Sequence, residues 1–270
     1  MAINQIERAY RTWPILTECA ARSSTITYGE LGDAIGVHHR TIRFILHHIQ
    51  NYCIEANLPP LTILIVNSSG LPGAGFIAHD LDDFQHGLDT VYGKNWSEEQ
   101  NPFGFSQNGD SMDSLVTELV QEPSSSKEIY SRVKSRGIRQ ILFRDALIKA
   151  YSNRCAFTEI SMLDSLEACH IIPWSQAKPE QRLDVRNGIL LNRFHHALFD
   201  AARITITTNH RIVFRTRKKD KDISSIEHNL TVNLHGSKML LPREEKLRPH
   251  PSNIEKHHEL LGWEAPEVKV

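Results

Sequence analysis

The sequence is poor in cysteine, and the four it has (Cys19, Cys53, Cys155 and Cys169) are scattered, with no Cys-x-x-Cys pair. This argues against a disulfide scaffold and a structural zinc knuckle, and it suits a reduced, cytoplasmic chain. No apolar run approaches the roughly 20 residues that a membrane-crossing helix needs. The opening stretch MAINQIERAYRTW lacks the charged-then-apolar pattern of a signal peptide, so none is expected there. Internal repeats are absent too, which sets repeat architectures aside. There is almost no net charge: −1 over 270 residues. That near-neutrality hides an asymmetry. Residues 1–126 carry 15 acidic and 6 basic residues, residues 127–220 carry 9 and 18, and residues 221–270 carry 8 and 7. A segment at +9 attracts a polyanion by releasing its counterions, or is simply a solvated surface. A length of 270 residues leaves room for two modest domains, and 40% apolar with 23% charged residues is ordinary for a globular chain.

The chemistry concentrates in the basic segment, from Cys155 to Asp200. Leu166 and Ala168 alternate with Glu167 and Cys169, which predicts a short strand ending at His170. Pro173 removes a donor and stops the strand soon after. His170 should therefore sit at a strand end, facing an open site. Asn187-Gly188 is a turn signal. His196 and Asp200 are four residues apart and share one face of the helix predicted there. An imidazole and a carboxylate so placed can hold one divalent cation, unless Asp200 instead caps the helix or pairs with Arg203. Phosphodiester hydrolysis needs an activated water, a Lewis acid near the leaving oxygen and relief of phosphate charge, and a near-neutral histidine can take the water's proton.

Glu167-Ala168-Cys169-His170-Ile171-Ile172-Pro173, then Asn187-Gly188, then His195-His196 and Asp200, resemble the HNH (ββα-metal) endonuclease family, prokaryotic restriction-type members in particular. The resemblance extends from about Arg136 to Glu264. It implies His170 as general base, Asn187 bonded to backbone so as to orient that base, and His196 and Asp200 as metal ligands. His196 follows Asn187 by nine residues, the family's own separation. Many members place a metal-binding Asp or His immediately before the base. Cys169 stands there instead and is expected to be a small core residue, which leaves a thinner ligand set and an open choice among Mg, Mn, Ni and Zn. Arg144, in a helix leading into the finger with Phe143 and Leu147 facing the core, is either a phosphate contact or a brace.

Upstream, residues 3–22 predict a helix that Pro14 should bend or split. Thr27 to Gly36 reads as a short helix, with Thr27 and Glu30 as a capping box and Gly36 as its stop. A second helix over 38–52 turns Ile42, Ile45, Leu46 and Ile49 inward, and 61–66 predicts a buried strand. Helix, turn, helix and strand suggest a winged-helix module. Tyr28-Gly29-Glu30-Leu31, Arg43 and Val66-Asn67-Ser68-Ser69-Gly70 also resemble, faintly, the DNA-binding domain of the alkyltransferase-like group, without its alkyl-accepting Pro-Cys-His-Arg. Arg40 and Arg43 are the candidate nucleic-acid contacts, although a module this acidic would equally pack on a protein partner. His38, His39, His47 and His48 read as surface or DNA-facing residues. Residues 203–214 predict a hairpin about Asn209-His210, followed by a basic run at 215–219 and a terminal helix ending near Trp263.

The expected organisation is α+β: an N-terminal winged-helix-like domain over 1–95, an acidic polar linker over 96–125, and a ββα-metal nuclease domain over 126–265. The expected activity is metal-dependent hydrolysis of DNA in a restriction or phage-defence setting. The rival reading is a DNA-binding regulator whose finger does not cut. Double-strand cutting with one site per chain would call for a homodimer.

Overall fold

The computed structural model describes residues 4–73, 75–216 and 223–263. The chain is helix-rich α+β with small two-stranded sheets, and it divides into two compact units: Met1–Ser114 with Ser131–Ile141, and Leu115–Tyr130 with Leu142–Val270. No helix among the described residues is long and apolar enough to cross a membrane. Part of the predicted basic run, 217–219, and the last residues of the predicted nuclease domain, 264 and 265, lie outside the described residues.

In the first unit, helix α1 (Gln5–Ala21) runs unbroken through Pro14. Proline removes the bond that would reach the carbonyl of Tyr10. Asn101 Nδ2 donates to that carbonyl at 2.8 Å, so the freed acceptor is satisfied and the helix continues. Strand β1 (Ile26–Thr27) leads into α2 (Tyr28–Ile35), which begins with the expected capping box and ends at Gly36 with φ 70°. Helix α3 (Ile42–Glu55) buries Ile42, Ile45, Leu46 and Ile49 as its periodicity predicts. Leu61–Leu64 is a buried 3-10 turn after Pro59-Pro60 and not the predicted strand; only Ile65–Val66 (β2) is extended. Because β2 pairs with β1 in parallel, the described residues of this unit contain no antiparallel wing, and the winged-helix expectation holds only for its helices.

The stretch expected to be a linker is packed structure. Helix α4 (Phe84–Tyr92) precedes a buried Trp96, and Phe103 and Phe105 are buried behind it. Trp13 gathers Tyr52, Trp96 and Phe103 edge-to-face, with centroids 5.5, 5.9 and 6.2 Å away. Three buried aromatics among polar neighbours supply enough apolar surface to order a segment whose average composition looks disordered. Helix α5 (Met112–Gln121) buries Leu115, Val116, Leu119 and Val120. It is followed by α6 (Ser126–Arg132) and α7 (Arg136–Ala150).

The second unit holds the finger. Strand β3 (Leu166–His170) pairs antiparallel with β4 (Gly188–Asn192), with His170 opposite Gly188 and Leu166 opposite Asn192. Between them runs a loop containing the one-turn helix α8 (Pro179–Arg182). Helix α9 (Arg193–Asp200) follows β4 directly, capped by Asn192, whose Oδ1 accepts from the His195 backbone N–H at 2.9 Å. The predicted hairpin is present as β5 (Ile204–Ile206) and β6 (Ile212–Phe214), with His210 at φ 57° in its turn. After α10 (Ser225–Asn229), helix α11 (Pro251–Leu261) stops at Gly262. It also pins the loop: His257 Nδ1 donates to Ile171 O at 2.9 Å, and Asn253 Nδ2 to Arg186 O at 3.1 Å.

Candidate active site

His170 ends β3 as predicted, but it does not stand open. Its ring stacks on Phe143, with centroids 3.9 Å apart and planes 13° apart, and meets Trp174 edge-on at 5.6 Å. Its Nε2 lies 3.0 Å from the carbonyl of Arg182. A carbonyl only accepts, so Nε2 carries the proton and Nδ1 keeps a lone pair. Burial pushes the imidazole pKa down to about 4; the Arg182 carbonyl opposes that, and the charges of His196 and Arg182 add to it. The ring is therefore neutral across the physiological range. Arg182 is held in turn: its Nη1 donates to the Tyr130 hydroxyl at 2.6 Å, its Nε to Ala177 O at 3.0 Å, and its guanidinium lies 5.2 Å from the Trp174 ring centroid.

Asn187 is fully buried. Its Nδ2 donates to Ile172 O (3.3 Å) and Gln181 O (3.1 Å), and its Oδ1 accepts from Ile172 N–H at 2.9 Å. Its carbonyl accepts from Ile171 N–H at 2.9 Å. The amide thus ties the backbone just after His170 to the residue beside Arg182, the same two places that fix the ring. The neighbouring Gly188 is not a turn residue. Its φ is −139°, within β4, and a Cβ there would come within 2.6 Å of Phe143 Cζ and 2.7 Å of Leu147 Cδ1. Glycine is present so that β4 can lie close against α7.

The two histidines of α9 divide. His195 is fully buried, and its Nε2 donates to Leu230 O at 2.7 Å, so it anchors the helix. His196 faces the other way. Its Nδ1 donates to Glu167 Oε2 at 2.7 Å, and its Nε2 stands 3.4 Å from Asp200 Oδ2. Burial raises the Glu167 carboxyl, but the bonds from His196 and from Arg193 Nε (2.7 Å) outweigh this and hold it below the usual range. Asp200 is 68% exposed and His196 only 24%. Because side chains alternate along a strand, Cys169 shares a face of β3 with Glu167, the face turned toward α9. One ligand atom each from Cys169, His196 and Asp200 lies within 4.8 Å of the other two. Burial first, then the charges of Asp200 and Glu167, push the Cys169 thiol well above its ordinary pKa.

These residues fit a divalent metal. With Nδ1 protonated toward Glu167, the Nε2 lone pair of His196 is directed toward Asp200, the carboxylate–histidine–metal arrangement that fixes a ligand's tautomer. Two donor atoms 3.4 Å apart match a pair that each reach one ion at about 2.1 Å. His196 and Asp200 stand out by sequence spacing, whereas Cys169 reads as core and Glu167 gives no signal by itself. The period of two that places His170 at a strand end also puts residues 167 and 169 together on the opposite face; that α9 covers this face is decided by the fold.

Arg144 Nη2 donates to Leu163 O (3.2 Å) and Leu166 O (3.3 Å), at the entry to β3. Arg40, in the 3-10 turn before α3, and Arg43, on α3, are exposed in the first unit; Arg43 lies over the Phe44 ring at 4.6 Å. His38, His39 and His47 are exposed, whereas His48 is half-buried, and burial takes its pKa down to about 4.

Comparison with curated proteins finds no match. Among solved structures, one titled "Modification dependent TagI restriction endonuclease" aligns at 14% identity with a TM-score of 0.29, covering 44% of this chain and 36% of that one. The chain thus spans little more than a third of that protein's length, and a likeness this low carries no argument about fold or activity. A family model described as HNH endonuclease matches residues 155–207, the span that contains β3, the pinned loop, β4, α9 and β5. Residues 155–207 are an HNH endonuclease domain.

Proposed function

We propose that the protein is a metal-dependent HNH endonuclease that hydrolyses DNA, of the kind that serves restriction or phage defence. The observation that carries the reading is the fixed tautomer of His170: Nε2 is committed to the Arg182 carbonyl, so Nδ1 is the atom that takes a proton from water. Asn187 keeps that carbonyl and the strand end in register, which limits the ring to one orientation. The Phe143 face and the Trp174 edge exclude water from the rest of the ring. His196 and Asp200 would hold the divalent ion, with Glu167 behind His196. When bound, such an ion supplies Lewis-acid stabilisation of the leaving oxygen and neutralises phosphate charge.

Arg40 and Arg43 are proposed to meet the DNA backbone from the exposed side of the α2–α3 pair, supplying register without sequence information. Arg193, at the start of α9, is exposed and paired with Glu167. The test is nicking of plasmid DNA in the presence of Mg²⁺, Mn²⁺, Ni²⁺ or Zn²⁺. His170→Ala should lower the single-turnover rate by roughly 10²–10⁴ while metal binding persists. Unchanged cutting by that variant would remove His170 from the mechanism.

A further inference from the structure

We infer that Cys169 is a third protein ligand of the metal, as a thiolate, and that the site therefore prefers a borderline-soft divalent transition ion, zinc or cobalt(II) by class, over magnesium. The inference rests on the metal-dependent nuclease reading and concerns the same site. Three donors converge there from two elements: the Cys169 sulfur from β3, and the His196 nitrogen and Asp200 oxygen from α9, all within 4.8 Å of one another. The thiol has no accessible surface, and its sulfur lies within 4.8 Å of ligand atoms of both His196 and Asp200. A soft sulfur beside an imidazole nitrogen and a carboxylate oxygen is a donor set suited to a borderline transition ion.

Ligation replaces the S–H bond with a sulfur–metal bond and releases one proton to solvent; nothing is oxidised or reduced. A hard, oxygen-seeking ion such as magnesium gains little from a thiolate, whereas zinc and cobalt(II) gain much. The ligand set becomes one sulfur, one nitrogen and one carboxylate oxygen, which leaves room for water and a phosphate oxygen.

The full-length protein is titrated with Co²⁺ and followed by absorption spectroscopy. A thiolate ligand gives an intense near-ultraviolet sulfur-to-cobalt charge-transfer band that nitrogen and oxygen ligands do not give. The band should appear at one equivalent, disappear on addition of Zn²⁺, and survive a large excess of Mg²⁺. Cys169→Ala and Cys169→Ser should both lose the band and bind Zn²⁺ at least about tenfold more weakly by calorimetry, with far-UV circular dichroism unchanged. Plasmid cutting is measured on the same samples. Cobalt bound without the band, or a band that persists in both variants, overturns the inference; continued cutting by the wild type would then leave the nuclease reading standing. If no cobalt binds, the inference is also overturned. Cutting with Mg²⁺ in that case spares the nuclease reading, whereas no cutting with any ion ends both.

Discussion

Gly188→Ala is the most informative single methyl group that can be added to this protein. The residue sits opposite His170 in the β3–β4 ladder, extended at φ −139°, so alanine meets no backbone strain there. The obstacle is space. The new Cβ would lie 2.6 Å from Phe143 Cζ and 2.7 and 2.9 Å from the two Leu147 methyls. Ordinary contact begins near 3.5 Å, so one or both side chains must give way by close to an ångström. Neither has free space to enter, since Phe143 and Leu147 are both essentially inaccessible to solvent. Overpacking of this kind costs about 1–3 kcal/mol. For a unit of this size that is a fall of about 3–10 °C in Tm, read by differential scanning calorimetry. Because Phe143 is also the surface on which His170 stacks at 3.9 Å, cutting should fall by more than the loss of folded protein explains, with Zn²⁺ affinity unchanged. Gly188→Asn sharpens the test. If Asn187-Gly188 were a turn needing a left-handed residue, asparagine would be the milder replacement. Here it is larger and polar and should destabilise more than alanine. Gly188→Asn at wild-type Tm, or clearly milder than Gly188→Ala, would refute the packing argument.

Three further outcomes follow from the same geometry. Asn187→Ala removes three side-chain hydrogen bonds in a fully buried loop and should cost about 2–4 kcal/mol at 0.5–1.5 each, seen as a lower urea midpoint with unchanged m-value. Glu167→Gln leaves a weaker acceptor behind His196 and should weaken Zn²⁺ binding about 10–100-fold by calorimetry without altering the Tm of the metal-free protein much, because the pair is partly exposed. Burial holds His48, His170 and His257 near pKa 4 in the folded chain, against about 6.5 unfolded. Between those values the unfolded state binds more protons, so stability should fall as pH drops from about 6.5 to 4, by up to three protons' worth of slope. A Tm that is flat over that range, or a slope that His257→Gln with His170→Gln does not reduce, would contradict the burial of these rings.

Local sequence determined the parts whose causes lie within a few residues. Thr27, Glu30 and Gly36 start and stop α2 because a cap and a left-handed stop are satisfied locally. The alternation of 166–170 made β3, and the spacing of His196 and Asp200 put both on one face of α9. The unbroken α1 was not visible, because the partner that relieves Pro14 is Asn101, some ninety residues away. Nor was the order in 96–125, because Trp96 and Phe103 packing on Trp13 outweigh a polar average that composition alone registers. Only tertiary structure turned Gly188 from a turn residue into a packing residue, gave Arg144 to carbonyls, and brought Cys169 and Glu167 up against α9. Sequence spacing encodes which way a side chain points along its own element. What waits in that direction depends on a second element, and where that element lies is set by the burial of the whole core.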